Sequence, residues 1–260
     1  MGNELISVII ACYNAESFID ECLGSIVNQG YTNIEIIICD DASTDSSFSL
    51  LKKWQERDPR IKLIRNSHNL FAASTRNNCI NVANGKYLLI QDIDDVSMPN
   101  RIYRLLSSLE KNKVDFVSSS MSIIDDSGII NHSKMISHRQ NPTKYDFLWG
   151  ISFNHPATLF TTECIKNING YSVTKDTRRN EDYDLFMRLY NNGAKGMNVH
   201  ESLYLYRVNI ENLKRRTLRS RWEECRIRYK GFKQLNILIV GLPFFIKPLI
   251  VHLIRRSFRL

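Results

Sequence analysis

Ile6-Ser7-Val8-Ile9-Ile10-Ala11-Cys12-Tyr13-Asn14 is the stretch on which the fold of this chain turns. Its first seven residues form a short, nearly continuous apolar run rich in β-branched side chains. Such a run suits a strand covered on both faces, as in a parallel sheet with helices above and below. A helical period follows. Ser17 to Asn28 puts Phe18, Ile19, Cys22, Leu23, Ile26 and Val27 on one face, and Gly30 stops it. The alternation then repeats: strands at Ile34–Cys39, Ile61–Ile64, Tyr87–Ile90 and Val114–Ser118, and helices at Asp45–Arg57, Ala72–Ala83 and after Pro99. Strands and helices alternating at this spacing predict βαβ units and a mainly parallel, Rossmann-like α/β sheet.

Beyond residue 120 the pattern loosens. Ser122 to Ile130 reads as a hairpin around Asp126-Ser127-Gly128, Ala157–Thr161 as a strand, Glu181–Tyr190 as a helix, and Gly196–Val208 as one or two short strands. The 260 residues are 43% hydrophobic and 24% charged, which excludes wholesale disorder. The formal charge of +8 is unevenly placed. Residues 214–260 hold 13 Lys/Arg against Glu223 and Glu224, a net +11, which leaves the rest of the chain at −3. Lys214 to Gln234 reads as a basic helix. Leu235 to Ile254 has 14 large apolar residues in 20, interrupted by Pro243, Lys247, Pro248 and His252. Those interruptions favour a segment lying in a membrane interface, with its basic flanks on anionic headgroups, over a straight spanning helix. The alternative is a pair of core helices closing the domain. The apolar run argues against nucleic acid as the partner of the basic residues.

Six scattered cysteines without a Cys-x-x-Cys pair read as buried, reduced thiols rather than a disulfide or metal framework. The start, Met1-Gly2-Asn3-Glu4, lacks the pattern of a signal peptide, so a cytoplasmic body is expected.

In an open parallel sheet, ligands bind outside the carboxyl ends of the strands. Those ends carry Tyr13-Asn14 after the first strand, Asp40-Asp41-Ala42-Ser43-Thr44-Asp45 after the second, and Asp92-Ile93-Asp94-Asp95 after the fourth. Two acidic clusters on one edge repel each other unless a cation or hydrogen-bond donors intervene. All-oxygen ligands suit Mg²⁺ or Mn²⁺ bridging carboxylate to diphosphate. Walker A, Gly-x-Gly-x-x-Gly, His-Glu-x-x-His and Gly-x-Ser-x-Gly sequences are all missing. A nucleotide here would therefore not be held by a glycine-rich phosphate loop.

Taken with Arg76-Asn77, Asn84-Gly85-Lys86-Tyr87 and Glu181-Asp182-Tyr183-Asp184-Leu185, these strand ends resemble the family 2 glycosyltransferases of the GT-A fold. Order and spacing match from about residue 5 to about residue 210. The resemblance implies a GT-A domain over residues 1–213, with a nucleotide-sugar-binding half (1–120) and an acceptor-binding half (121–213). Residues 214–260 follow as a basic, apolar, membrane-associating extension. It implies transfer of a sugar, with inversion, from a nucleotide donor, a UDP-sugar first among them, with Mn²⁺ or Mg²⁺. Tyr13 and Asn14 would lie beside the nucleotide. Asp41, with Asp40, would hold base or ribose, and Arg76 would line the pocket. Asp92, Asp94 and Asp95 form the Asp-x-Asp type motif, with Asp94 and Asp95 the expected metal contacts. Asp182 matches the catalytic base, and Glu181 is the alternative. His155-Pro156 stands where similar proteins face the acceptor, although a core or turn histidine fits equally well, and His200 reads as a surface residue. Asn209 stands where the family often has a histidine, and Ala11-Cys12 where a proline is common.

The chemistry is coherent. The departing nucleoside diphosphate gathers negative charge, which a divalent cation stabilises. The attacking hydroxyl loses its proton to a carboxylate. The expected setting is the cytoplasmic face of the plasma membrane, with a lipid-linked or membrane glycan as acceptor in surface polysaccharide or lipopolysaccharide synthesis. Two other classes match part of the pattern: a nucleotidyltransferase, which would need the absent glycine-rich loop, and a non-catalytic membrane-bound scaffold, which would not need intact acidic clusters.

Overall fold

The structure, a computed structural model, describes residues 3–125, 127–208 and 217–250. Strand β1 (Ile6–Cys12) pairs in parallel with β2 (Ile34–Asp40) and with β4 (Tyr87–Asp92), and β2 pairs in parallel with β3 (Ile61–Arg65). The connecting helices are α1 (Ile19–Val27), α2 (Ser47–Arg57) and α3 (Phe71–Val82). The continuous apolar runs have the expected consequence. All seven residues of β2 are buried, and alternate residues feed opposite cores. Ile6, Val8, Ile10, Ile36 and Ile38 face α1, α2 and α4 (Arg101–Asn112), while Ile9, Ile37 and Cys39 face α3 and α6 (Glu181–Asn191).

The amino-terminal edge of this sheet is locked by a buried acid. Glu35 accepts hydrogen bonds from Ser7 Oγ at 2.5 Å and Asn84 N–H at 2.7 Å, and Lys62 sits 2.7 Å from its other oxygen. Gly85 fits here because a Cβ would stand 2.5 Å from the Ser7 backbone nitrogen. The Asn84-Gly85 motif thus serves packing, on the edge opposite the strand ends that carry the acidic clusters.

The second half departs from simple parallel order. After the two-residue β5 (Val96–Ser97) come β6 (Phe116–Ile124), β7 (Ile130–Ile136), β8 (Thr158–Thr161) and β9 (Gly196–Arg207). The sheet runs β3-β2-β1-β4-β8-β6-β9-β5, with β7 on β6. The expected fifth strand starts two residues later and ends six residues later than its apolar core suggests. It is kept from β4 by β8, which pairs antiparallel with both. β8 holds that place because Leu159 enters one core and Phe160 the other. The hairpin forms, with Ile124 opposite Ile130 and Asp125 Oδ1 accepting the N–H groups of Ser127 and Ile129. Its Asp126 lies outside the described residues. In place of one or two short strands, β9 is a single strand of 12 residues, paired with β6 through register shifts at Ser119–Met121.

Short α5 (Thr162–Lys166) follows β8. Two further helices follow among the described residues: α7 (Leu218–Gln234) and α8 (Leu238–Phe245). The face of α7 bearing Ile227 and Phe232 lies in the second core, and Gly231 lets it approach α6, where a Cβ would be 2.3 Å from Met187 Sδ. Arg221 and Arg228 are buried with it, both paired to Glu224. So part of the tail's basic charge serves the fold. α8 differs, since Ile239 is 85% exposed and Val240 and Leu242 are also open. No helix among the described residues is long and apolar enough to cross a membrane. All six cysteines are buried and free.

Candidate active site

The register of the parallel strands sets the site. Cys12 lies opposite Asp40 and Ala11 opposite Asp92, so three strands end at one level. A cleft of about 470 Å³ opens there, walled by Tyr13, Asn14, Asp41, Phe71, Arg76 and Asp94 among others. Asn14 leaves β1 in the left-handed region (φ 49°) and binds across to the loop after β2. Its Oδ1 accepts Thr44 N–H at 2.8 Å, and its own N–H donates to Ser43 Oγ at 3.0 Å. Tyr13 is left half exposed beside the cleft.

The two aspartates after β2 part company. Asp41 lines the cleft and organises the approach to α3. Its Oδ1 accepts from Asn66 Nδ2 and Leu70 N–H, both at 2.8 Å, and its Oδ2 from Phe71 N–H at 2.9 Å. Oδ2 keeps acceptor capacity toward the cleft. Asp40 is fully buried and outside the cleft lining, held by Arg65 at 3.1 Å and by Ser43 N–H at 3.2 Å. It braces the loop from behind.

Arg76 is the electrostatic centre. Its guanidinium, almost wholly buried, sits 2.6 Å from Asp92 and 3.3 Å from Glu181, so one cation joins the end of β4 to the start of α6. Burial works to raise the Asp92 pKa, and Arg76 more than offsets it, leaving Asp92 below the usual carboxylate range. For Glu181 burial prevails. Arg76 pulls down and Asp182 pushes up, and the group ends at about 7. Asp182 is also raised, first by burial, although Tyr183 N–H donates to its Oδ1 at 2.7 Å.

The carboxylates after β4 are sorted by their surroundings. Asp94 opens to the cleft, and its pKa is pushed up to about 6 by the enclosing protein and by Asp92. Asp95 is 1% exposed and turned inward, where its Oδ1 accepts Arg207 N–H at 2.7 Å. It anchors β9 beneath the loop, so the structure does not bring it to the cleft beside Asp94. Arg207 reinforces the same loop, donating from Nε to Asp94 O at 2.8 Å and lying 2.5 Å from Glu21. Among the described residues, no group of three or more His, Cys, Asp or Glu side chains could hold a metal ion by itself.

Other side chains behave as structure. His155 is buried against Tyr171, Nε2 to Oη 2.7 Å, and burial with the Arg76 charge holds it neutral with a pKa of about 3. It belongs to the core. His200 lies at the surface beside Ser137. Asn77 clasps the backbone of Tyr171 in both directions, which ties α3 to the second half. Asn209 lies outside the described residues.

Three supporting residues have no local signal in the sequence. Arg101 is the largest fully buried side chain. It donates to Gln91, Ser97, Ile90 O and Pro156 O at 2.7–2.8 Å and lies over the Tyr204 ring. Tyr204 Oη in turn accepts Asp92 N–H at 3.1 Å. With Arg207, these two fix the acidic turn from below. Arg101 and Arg207 look like ordinary surface cations in the sequence, and only the packing of β9 reveals their role.

A carboxylate-lined cleft at the ends of parallel strands, without a glycine-rich loop, narrows the comparison. The sequence model of "Glycosyl transferase family 2" matches residues 7–164. The chain belongs to glycosyltransferase family 2. EpsE of Bacillus subtilis (strain 168) is 32% identical over 247 residues, covering 94% of this chain and 88% of its own. An Escherichia coli relative, the UDP-Glc:alpha-D-GlcNAc-diphosphoundecaprenol beta-1,3-glucosyltransferase WfaP, is 32% identical over 209 residues, 79% of this chain and 78% of its own. Two solved structures share the fold at 18% identity. TarS of S. aureus, in complex with UDP-GlcNAc, has a TM-score of 0.72 and aligns over 91% of this chain and 71% of its own. The mannosyltransferase PcManGT of Pyrobaculum calidifontis, in complex with GDP-Man and Mn²⁺, has a TM-score of 0.65, with 95% and 74% covered. This family 2 chain is thus a glycosyltransferase of GT-A architecture. Its family membership sets aside the nucleotidyltransferase and the inert scaffold.

Proposed function

We propose that this glycosyltransferase moves a sugar, with inversion, from a nucleotide-sugar, UDP-linked first among the candidates, to a hydroxyl of a lipid-linked or membrane glycan. The observation that carries the reading is the Arg76 bridge. One buried cation joins the acid that ends β4 to the acids that begin α6, so the donor side and the base side form one rigid unit. Tyr13 offers a face for the base, and Asp41 keeps an acceptor for base or ribose N–H and O–H groups. Asp94 is the one carboxylate of its turn that fits a divalent cation. With no such cluster among the described residues to complete a shell, the remaining ligands would be diphosphate oxygens and water. Bound there, the cation supplies Lewis-acid stabilisation of the leaving diphosphate. Asp182 takes the acceptor proton, because Glu181 is committed to Arg76 while the second oxygen of Asp182 is not. The 1–213 and 214–260 division becomes a functional one in this reading. α7 completes the domain, and the open face of α8, with Trp149 packed against Phe244 and Lys247 against Trp149, rests on an anionic membrane surface at the cytoplasmic side. The relative WfaP, named for a diphosphoundecaprenol acceptor, supports an acceptor of that kind.

The test is nucleoside diphosphate release from a set of UDP-, dTDP- and GDP-sugars with Mn²⁺, against EDTA and Asp94→Ala controls. Metal-dependent release from one donor, lost in the variant, is the expected result. Absence of both release and nucleotide binding with every donor would sink the reading.

A further inference from the structure

A second cavity, of about 690 Å³, lies beside the donor cleft between the start of α3, the turn Asp176–Arg179 and the start of α7. The two cavities share a wall, the ring of Phe71. Phe71 stands in the left-handed region (φ 66°), which is costly for a bulky L residue, and Asp41 in the donor cleft holds its N–H there. On the far side of the ring, the Arg178 guanidinium lies 3.3 Å from the ring centroid. The turn that carries Arg178 runs through Asn180 straight into Glu181-Asp182.

Among the described residues, the charges of this cavity are paired unevenly. Arg219 is answered by Glu223 at 3.2 Å, and Asp176 is engaged by Arg226 at 3.4 Å. Lys175 and Arg178 are exposed and make no ion pair among the described residues. The neutral polar groups are largely spent on their own backbone. Thr177 Oγ1 donates to Ser172 O, Thr217 Oγ1 accepts Ser220 N–H, and Ser220 Oγ donates to Thr217 O. A neutral sugar would call for hydroxyl and amide partners. Apart from the Ser74 hydroxyl, what these residues leave over is cationic, including one planar guanidinium suited to phosphate.

We propose that this cavity binds the phosphate or diphosphate group of an anionic acceptor, with Lys175 and Arg178 as its contacts and Phe71 as the partition from the donor. The inference rests on the glycosyltransferase reading and adds the place in the fold, and the residues, that hold the acceptor's phosphate. An acceptor anchored there would extend its hydroxyl end along the turn toward Asp182.

The test is calorimetric titration of the full chain with farnesyl diphosphate, inorganic diphosphate and farnesol, each with the donor cleft empty and filled by UDP and GDP in turn. Donor turnover is measured on the same samples. The expected result is farnesyl diphosphate binding alongside the nucleotide, weakened at least about tenfold by Arg178→Ala and likewise by Lys175→Glu, with partial recovery in Arg178→Lys. Lys175→Glu leaves the Phe71 stack intact, so its nucleotide affinity should change by less than about twofold. Equal binding of inorganic diphosphate supports the site and assigns its affinity to phosphate alone. Equal binding of farnesol overturns it, since charge would then contribute nothing. Simple competition between nucleotide and farnesyl diphosphate, indifference to Lys175→Glu, or no binding of either diphosphate would each overturn it as well. Donor turnover that survives such a failure leaves the glycosyltransferase reading standing. Absent turnover with intact diphosphate binding would count against that reading instead.

Discussion

Replacing Arg76 by Met keeps an unbranched apolar stem and removes the guanidinium with its charge. The side chain is 8% exposed, and its partners Asp92 and Glu181 are 25% and 17% exposed, so little water replaces it. Breaking a buried pair by removing one partner costs about 3–5 kcal/mol. In a chain of this size each kcal/mol lowers Tm by roughly 2–4 °C, so the expected drop is roughly 6–20 °C. Most of it should come from Asp92, which is nearer and ionised. Glu181, at about 7, already escapes part of the penalty by holding its proton. The pH dependence follows from the direction of each shift. In the wild type, Asp92 lies below its unfolded value, so its stabilisation is present at neutral pH and lost as pH falls. Without Arg76, burial alone acts and both acids rise, so the native state binds more protons than the unfolded chain and loses stability as pH rises. The gap in Tm between variant and wild type should therefore be small near pH 4 and widest near pH 8. Asp92→Asn added to Arg76→Met should recover a good part of the loss at pH 8. Thermal melts at the two pH values check this. A gap that does not change with pH, or a double variant no better than the single one, would show that Arg76 acts through packing rather than charge.

Other outcomes are expected from the same geometry. Asp182→Asn should lower sugar transfer by about two to four orders of magnitude with nucleotide binding intact, and Glu181→Gln by much less; equal losses would refute the division of roles. Because Asp94 must be ionised to meet a cation, and its pKa without one is about 6, Mn²⁺ affinity should fall as pH drops below about 6 and level off above it; affinity that holds constant down to pH 4 would show that the group is not enclosed. Arg101→Met leaves Gln91, Ser97 and two carbonyls short of a donor, and should cost about 1–3 kcal/mol or more in thermal melts while also weakening donor binding. Leu242→Asp on the open face of α8 should release the protein from phosphatidylglycerol vesicles in a sedimentation assay, with its Tm unchanged.

The first half of the fold is legible because its signals are local. A run such as Ile34–Cys39 has no solvent-facing side, and each following helix carries its own apolar stripe, so element type and parallel order follow together. The second half is not local. Leu159 and Phe160 look like any apolar pair, yet they wedge β8 between β4 and β6. The shape of β9 is set by pairing with a strand about 80 residues earlier. The tail misleads for another reason. Counting charges over residues 214–260 groups Arg221 and Arg228, which are buried against Glu224, with cations that face outward. The helical spacing of Cys225, Arg228 and Phe232 on one buried face is a finer signal than net charge.

The site shows where such reading stops. That acids gather at the ends of β2 and β4 is plain from sequence, because a strand's end and its next residues are contiguous. Which acid faces the ligand is decided elsewhere. Asp40 turns to Arg65 on β3 and leaves the cleft to Asp41. Asp95 turns to a backbone N–H 112 residues away on β9 and leaves it to Asp94. In each adjacent pair, one carboxylate anchors the loop that presents the other. Paired aspartates after a buried strand are therefore better read as one anchor and one presenter than as two ligands, and a donor from another strand, here Arg65 of β3 and the Arg207 backbone of β9, tells which is which. Glu181 and Asp182 divide in a similar way: Arg76 of α3 takes the first, and in the proposed mechanism the second is left for the acceptor.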